Sequence, residues 1–388
     1  MNTCISERTV ALLLATCCMS SFVSASPSGD RPDERHAWAV HDAHRPNPPK
    51  ITAEEGRPPS DAIVLFDGTA ESVAKHWRDA SGGPSKWTVK DGLFICTPRS
   101  GGAFTREEFG DCQLHLEWLS PVGDPGLGNS GAILMSRYEV QIQNSDFTDL
   151  TYKDRRRANY ADGQAGAIYG QSPPLVNPAR PTGVWQTYDI IFHPPLWDGD
   201  QLIDPGSITV FFNGVLVQDA WPLEGRCHWQ LRTKHEKAPP TGPLRLQDHG
   251  NPVPFRNIWI RRIPSRFANT VHGGPGVKLD DVAAKRAELA AHTLALAEEA
   301  TELTEKVICL YESLGYRSDP AVKAKAEDAA ARYAASLDAR DSAACRKIQA
   351  ELRGMKLFVD MLIRNGLTER ESPLAKAVAR ALNEAKKQ

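Results

Sequence analysis

The sequence predicts a two-part molecule: an all-β jelly roll or β-sandwich over residues 61–266, then a separate α-helical region over 279–388, built as a bundle or a coiled coil. Three observations carry this expectation. Over 62–263, short apolar or alternating runs are separated by Gly, Pro, Asn and Asp, the pattern of a sandwich. After Arg266 the composition turns to Ala, Leu, Glu and Lys, without strand character. The length of 388 residues exceeds one typical core and accommodates two.

Within the β region, strands are expected at 63–66, 86–89, 93–96, 113–119, 132–136, 138–143, 187–193, 208–212, 215–218, 244–247 and 255–263. Asn213 and Gly214, between two of these runs, both tolerate positive φ and mark a tight hairpin. Alternation in 113–119 sends Leu114, Leu116 and Trp118 to a core face and Gln113, His115 and Glu117 to the other. In 138–143 it sets Tyr138, Val140 and Ile142 against Glu139, Gln141 and Gln143. A polar sheet face is ordinarily solvent surface. Carboxylates beside amides, however, supply the donors and acceptors that sugar hydroxyls require.

In the helical region Val282, Leu289, Leu296, Leu303 and Leu310 recur every seven residues, and Ala300, Val307 and Leu314 add a second apolar position. Arg286 and Thr293 interrupt that second position, so the strict seam runs only over 296–314. Further helices are expected at 320–337, 339–364 and 373–386, with Gly354 and Gly366 as kink or cap positions. With partner helices in the same chain, an intramolecular bundle is the favoured reading and a homo-oligomer through a coiled coil the alternative.

The N-terminus carries the α-amine and Arg8, an apolar stretch over 10–23, and then Val23, Ser24 and Ala25, which reads as a removable export signal over 1–25 and a secreted or periplasmic location. Thr16, Ser20 and Ser21 break the stretch, which is shorter than the roughly 20 apolar residues of a membrane span. A lipid anchor at Cys17 is the lesser alternative, since Thr16 suits a lipoprotein cleavage site poorly. Residues 26–60 are rich in Pro, Arg, His and Asp, show no apolar periodicity, and read as a mobile leader.

A net charge of −2 without an extended basic block removes the electrostatic reason to expect nucleic acid or an anionic membrane as partner. Arg155, Arg156 and Arg157 are the dense exception, and such a triplet in a loop is usually solvated. Beyond the signal, Cys96, Cys112, Cys227, Cys309 and Cys345 match no zinc spacing. Cys96 and Cys112 flank an expected hairpin, and either form a disulfide or remain buried thiols. There is no phosphate loop, nucleophile elbow or dinucleotide fingerprint.

An ordered series of short motifs resembles the 3-keto-disaccharide hydrolase family. It starts with Leu65-Phe66-Asp67-Gly68 and the run from Trp87 to Leu93, and continues through Gly128-Asn129-Ser130-Gly131 and the run from Arg137 to Ile142. Gly166-Ala167-Ile168-Tyr169 and the run from Pro181 to Trp185 follow, then the runs from Gly242 to Gly250 and from Phe255 to Arg261. The resemblance covers about 200 residues and leaves the helical region unexplained. It implies a concanavalin-like jelly roll that cleaves glycosides already oxidised to a ketone at C3, so the ketone must come from a separate enzyme. The loops at 148–165 and after His193 do not fit the family pattern and are where specificity would reside.

A C3 ketone acidifies the C2 hydrogen, so the C1 oxygen can leave by elimination before water adds. That route needs a base near C2, an acid near the leaving oxygen and a means of stabilising the enolate. Under this resemblance His249, oriented by Asp248 or a strand carboxylate, is the first choice for proton transfer, and Glu139 the next, as base or metal ligand. Glu117, Asn129, Arg137, Gln141 and Gln247 would hold hydroxyls or the ketone oxygen. A divalent metal on Glu117, Glu139 and His249, with His115 as a further ligand, would polarise the ketone, although no metal-specific spacing supports it. Two other readings stay open: a non-catalytic carbohydrate-binding module, and an assembly protein working through 282–314.

Overall fold

A computed structural model describes residues 29–123, 128–146 and 160–387. The export signal, the lipid-anchor cysteine and the arginine triplet lie outside the described residues. The chain divides into two compact units, Pro49–Arg266 and the combination of Met1–Pro48 with Phe267–Gln388.

Unit Pro49–Arg266 is a sandwich of two antiparallel sheets. The larger has eight strands, with β13 (Val215–Pro222), β12 (Ser207–Phe212), β9 (Gln186–His193), β6 (Cys112–Trp118), β15 (Pro254–Arg262), β4 (Leu93–Ile95) and β3 (Thr88–Lys90) in that order, and β1 (Ile63–Phe66) also on β15. The smaller runs β2 (Trp77–Arg78), β5 (Ala103–Phe109), β14 (Gly242–Leu246), β7 (Ser130–Leu134) and β8 (Tyr138–Ile142). Helix α1 (Ala70–His76) joins β1 to β2, and β10 (Leu196–Asp198) pairs with β11 (Gln201–Asp204) in a separate ribbon.

One core lies between the sheets. Leu114, Leu116 and Trp118 of β6 and Tyr188, Ile190 and Phe192 of β9 share it with Tyr138, Val140 and Ile142 of β8 and Leu244 and Leu246 of β14. Full burial of each large apolar side chain contributes about 1.5–3 kcal/mol. Two hairpin turns hold a polar residue and a glycine at positive φ in succession, Asn213–Gly214 at 51° and 79° and Asp91–Gly92 at 52° and 74°.

Several strand expectations change. Strand β5 escaped notice because Arg106, Glu107 and Glu108 break its alternation. The run expected at 132–136 is displaced to Ser130–Leu134, since Met135 and Ser136 adopt positive φ and turn the chain. Residues 196–204, expected as loop, form the β10–β11 ribbon. The Cys96–Cys112 disulfide is also corrected, because both thiols are free and buried. Ile95 pairs with Pro254 and Cys112 with Arg262, at opposite ends of β15. Eight strand residues separate those ends by about 26 Å.

The second unit contains α2 (Leu279–Glu299), α3 (Leu303–Tyr316), α4 (Pro320–Asp338), α5 (Ser342–Lys347), α6 (Gln349–Arg364) and α7 (Pro373–Glu384). The heptad seam does not run along one rod. Extended backbone at Ala300 and Glu302 ends α2 and starts α3, and the two fold into an antiparallel hairpin in which Ser313 Oγ donates to Ala290 O at 2.9 Å and Arg286 Nε to Tyr316 O at 2.9 Å. The single helix expected over 339–364 is interrupted at Ile348. Asp319 before Pro320 and Ser372 before Pro373 cap their helices with side-chain oxygens. Among the described residues no helix is long and apolar enough to cross a membrane.

Part of the expected leader belongs to this unit. Ala37 is fully buried and its amide donates to Val271 O at 2.8 Å, Tyr316 Oη donates to both Asp42 carboxylate oxygens at 2.8 and 2.7 Å, and His44 Nε2 meets Glu312 at 3.1 Å. Trp38 packs beside Leu289, Ala290 and Tyr316. Polar pairing and one aromatic hold the segment, which is why no apolar period announced it.

Candidate active site

The outward face of the five-stranded sheet is assembled from residues that alternate with the core. On β8, Glu139 and Gln141 lie opposite Ile133 and Gly131 of β7, and Arg245 of β14 is the next neighbour of Ile133. Gln247 follows β14, its amide donating to Gly131 O at 3.0 Å and its carbonyl accepting from Ser130 Oγ at 2.7 Å. Arg245 and Arg78 both place their guanidinium groups over the Phe104 ring, at 5.8 and 5.5 Å. The face thus presents a carboxylate, two amides and an arginine in adjoining registers.

Glu139 is only 8% exposed and has no ion pair within bonding distance among the described residues. Burial raises its pKa to about 7, and the nearby Arg245 charge works the other way. Desolvation in turn lowers the pKa of Arg245. With its amide turned end for end, Gln141 donates to Ser130 O at 3.2 Å and Glu139 Oε1 at 3.3 Å, which removes the contact of its oxygen with those acceptors. Asn129 Oδ1 and Gln143 Oε1 each lie 3.4 Å from the other end of the same amide. Gln247 Oε1 is buried without a hydrogen-bond partner among the described residues.

The residues singled out from sequence therefore do not all meet. Glu139, Gln141, Gln247 and Asn129 gather on this face. Glu117 does not, since its neighbours Leu116 and Trp118 fill the shared core from β6, so it emerges on the outer face of the other sheet. There it accepts from Arg256 Nε at 2.7 Å and Asn257 Nδ2 at 3.0 Å. Asn257, at positive φ in a β-bulge, also contacts His115 Nε2 at 3.2 Å, and His115 Nδ1 meets Asp189 at 2.7 Å. The metal set Glu117, Glu139 and His249 is consequently corrected: the core divides it. Among the described residues no three His, Cys, Asp or Glu side chains stand close enough to hold a metal.

His249 is exposed in the loop after Gln247. Asp248, expected to orient it, instead accepts from the amides of Gly101 at 2.9 Å and Gly250 at 2.8 Å, and these bonds with the Cys96 thiol bring its pKa down against the effect of burial. Arg137 sits in the β7–β8 turn with Glu236 at 3.7 Å.

Four residues missed by sequence reasoning complete the site. Arg245 carries the positive charge, and Gly131 leaves room for Glu139, because a Cβ there would lie 2.2 Å from Oε1. Tyr169 donates its amide to Glu139 O at 3.0 Å, and burial, the Tyr160 hydroxyl at 2.9 Å and the Glu139 charge all push its phenol pKa up. Cys227 accepts from the Glu139 amide at 3.2 Å. Alternation on β14 does put Arg245 between two core leucines, which was the available signal.

The family described as the 3-keto-alpha-glucoside-1,2-lyase-like domain matches residues 61–261 of this chain. The chain belongs to that family. A 3-keto-disaccharide hydrolase of Bacteroides thetaiotaomicron is 24% identical over 289 residues, covering 63% of this chain and 96% of the relative. A crystal structure from Parabacteroides distasonis ATCC 8503, described as a "putative glycosyl hydrolase", is 35% identical, with a TM-score of 0.50 over 59% of this chain and 98% of its own. The family match begins at Asp61 and ends at Arg261, so it spans the sandwich that carries Glu139 and stops short of α2.

Proposed function

We propose that this chain is an exported enzyme that cleaves 3-keto-glycosides, 3-keto-disaccharides in particular, by elimination and hydration. The family supports a glycosidase-like hydrolase, and the observation that carries the finer reading is Glu139: a buried carboxyl with a pKa of about 7, with the Gln141 amide beside it. Such a group accepts a proton at neutral pH yet returns it readily. Export rests on the pattern of residues 1–25.

In the proposed sequence Glu139 takes the C2 proton, and the electron pair moves to the C3 carbonyl oxygen as an enolate. Arg245 supplies positive charge beside that developing oxyanion. The enolate pair then expels the C1 oxygen, to which His249 delivers a proton from the rim, leaving a C1=C2 double bond conjugated with the ketone. Water adds its oxygen at C1, its released proton restoring His249, while Glu139 returns the proton to C2, so the products are a 3-keto sugar and the free alcohol or sugar. Gln141, Gln247 and Asn129 hold hydroxyls.

Incubation of the mature protein with a 3-keto-disaccharide, with and without EDTA, and chromatography of the released sugar tests this. Release that needs the C3 ketone and is lost in Glu139→Gln supports it. Saturable binding of unoxidised glycan without turnover of any 3-keto-glycoside would instead make the sandwich a binding module.

A further inference from the structure

The segment 223–236 crosses the neighbourhood of Glu139 and is fastened to it at several points. The Cys227 amide donates to Arg137 O at 2.8 Å, while its sulfur accepts from the Glu139 amide at 3.2 Å. Gln171 Nε2 donates to Gly225 O at 2.9 Å, and Thr233 Oγ1 to Arg226 O at 2.6 Å, closing the loop on itself. A Cβ on Gly170 would lie 3.0 Å from His228 O, so the loop backbone passes close above the residue that follows Tyr169.

From this fastened frame the loop turns outward at Trp229 and Gln230, Gln230 taking a positive φ of 59°. Trp229 is left 60% exposed and Leu231 61%. Single exposed apolar residues are ordinary. An indole held on a loop pinned to the backbone of the strand that carries a buried carboxylate is not, because the pins fix in advance the aromatic surface that a flexible loop would order only at an entropic cost. Alongside the tip a small hollow, about 10 Å³, is lined by Tyr169, His228, Leu231 and Arg232, and Tyr169 is tied to Glu139 through its amide. Polar groups for one sugar ring surround Glu139, whereas the tip offers a flat apolar surface with arginine and imidazole beside it. That pairing suits the C–H face and hydroxyl rim of a second ring.

We propose that Trp229, with Leu231 and Arg232, forms the subsite for the departing sugar and makes the enzyme selective for 3-keto-disaccharides over 3-keto-glycosides with small leaving groups. The proposal rests on the reading of Glu139 as the base at C2. In it, the keto ring occupies the sheet face and the leaving ring lies across Tyr169 against the indole. Trp229 touches substrate but takes no part in proton transfer.

The test compares the full mature chain with Trp229→Ala and Trp229→Phe on a 3-keto-disaccharide and on the methyl 3-keto-glucoside, together with quenching of tryptophan fluorescence by the 3-keto-disaccharide in the Glu139→Gln background. The expected result is a fall of about tenfold in the kcat/KM ratio of disaccharide over methyl glycoside for Trp229→Ala, equivalent to about 1.4 kcal/mol, mostly through KM and largely restored by Phe. The quenching should be lost when Trp229→Ala is added. Cleavage of both substrates with an unaltered ratio overturns the subsite and leaves the proposed function standing. No cleavage by the parent, with saturable binding that depends on Trp229, removes the hydrolase reading and leaves the tryptophan a sugar platform; no dependence in either assay removes both.

Discussion

A methyl group on Gly131 would stand 2.2 Å from Glu139 Oε1, so the side chain missing from β7 is the space in which the carboxylate of β8 rests. Gly131→Ala therefore displaces the carboxylate while leaving the sheet's hydrogen bonds in place. A displacement on the scale of an ångström costs roughly 100-fold in rate. We expect kcat on 3-keto-disaccharides to fall by about that factor, with overpacking costing about 1–3 kcal/mol in a denaturant titration. Wild-type activity in Gly131→Ala would show that Glu139 need not occupy this position.

The raised pKa of Glu139 ties stability to pH with a definite sign. Burial moves it from 4.5 to about 7, so folding binds a proton within that interval. The contribution is complete below the ordinary value and is lost as pH rises through about 7. Glu139→Gln should consequently be more stable than the parent above neutrality, by roughly 1–3 kcal/mol, with no advantage near pH 4. Denaturant titrations at the two pH values check this.

Activity should rise with pH along a limb near 7, as the carboxylate forms. Arg245 opposes the effect of burial on Glu139, so Arg245→Gln moves that limb to higher pH and lowers kcat, while Arg245→Lys keeps it near its original place. A pH–rate profile whose limb does not move in Arg245→Gln would detach the arginine from Glu139.

If His249 protonates the leaving oxygen, its loss should matter most when that oxygen is a poor leaving group. His249→Ala is expected to slow 3-keto-disaccharide cleavage by about 100-fold, within the range for general acids, and a nitrophenyl 3-keto-glycoside by far less. Equal loss on both substrates would assign the exposed imidazole some other role.

In the helical unit, Tyr316→Phe removes the donor to Asp42, leaving its carboxylate with the amides of Ala39 and His44. The cost should be about 1–2 kcal/mol. Faster amide exchange over 37–44, read by mass spectrometry, would mark the release of this segment.

Sequence patterning showed most of the sandwich because each long strand alternates cleanly between the shared core and an outer face, as in Leu114, Leu116 and Trp118. It identified Glu139 and Gln141 as facing one way, but period two does not say which of two sheets a strand joins. Glu117 and Glu139 therefore looked like companions until the core was found between them. Gly131 and Arg245 escaped for a related reason: their importance comes from what stands across the strand pair, which no single run of residues displays. The hairpin of α2 and α3 was hidden by a heptad count that continues through Ala300, although the count is blind to a change of chain direction.

The strap formed by 29–48 has a consequence for the order of folding. Its partners Val271, Glu312 and Tyr316 are made only after the whole of Pro49–Arg266. Closing so long a loop is slow and entropically costly, whereas the sandwich carries all its strands within the intervening stretch. The nascent chain therefore completes the sandwich first, and the strap waits as an unengaged arm until Glu312 and Tyr316 emerge. A ribosome-bound chain stalled at the start of α3, with the sandwich clear of the exit tunnel but Glu312 and Tyr316 not yet made, should accordingly show a protease-resistant sandwich preceded by an arm that is still cut.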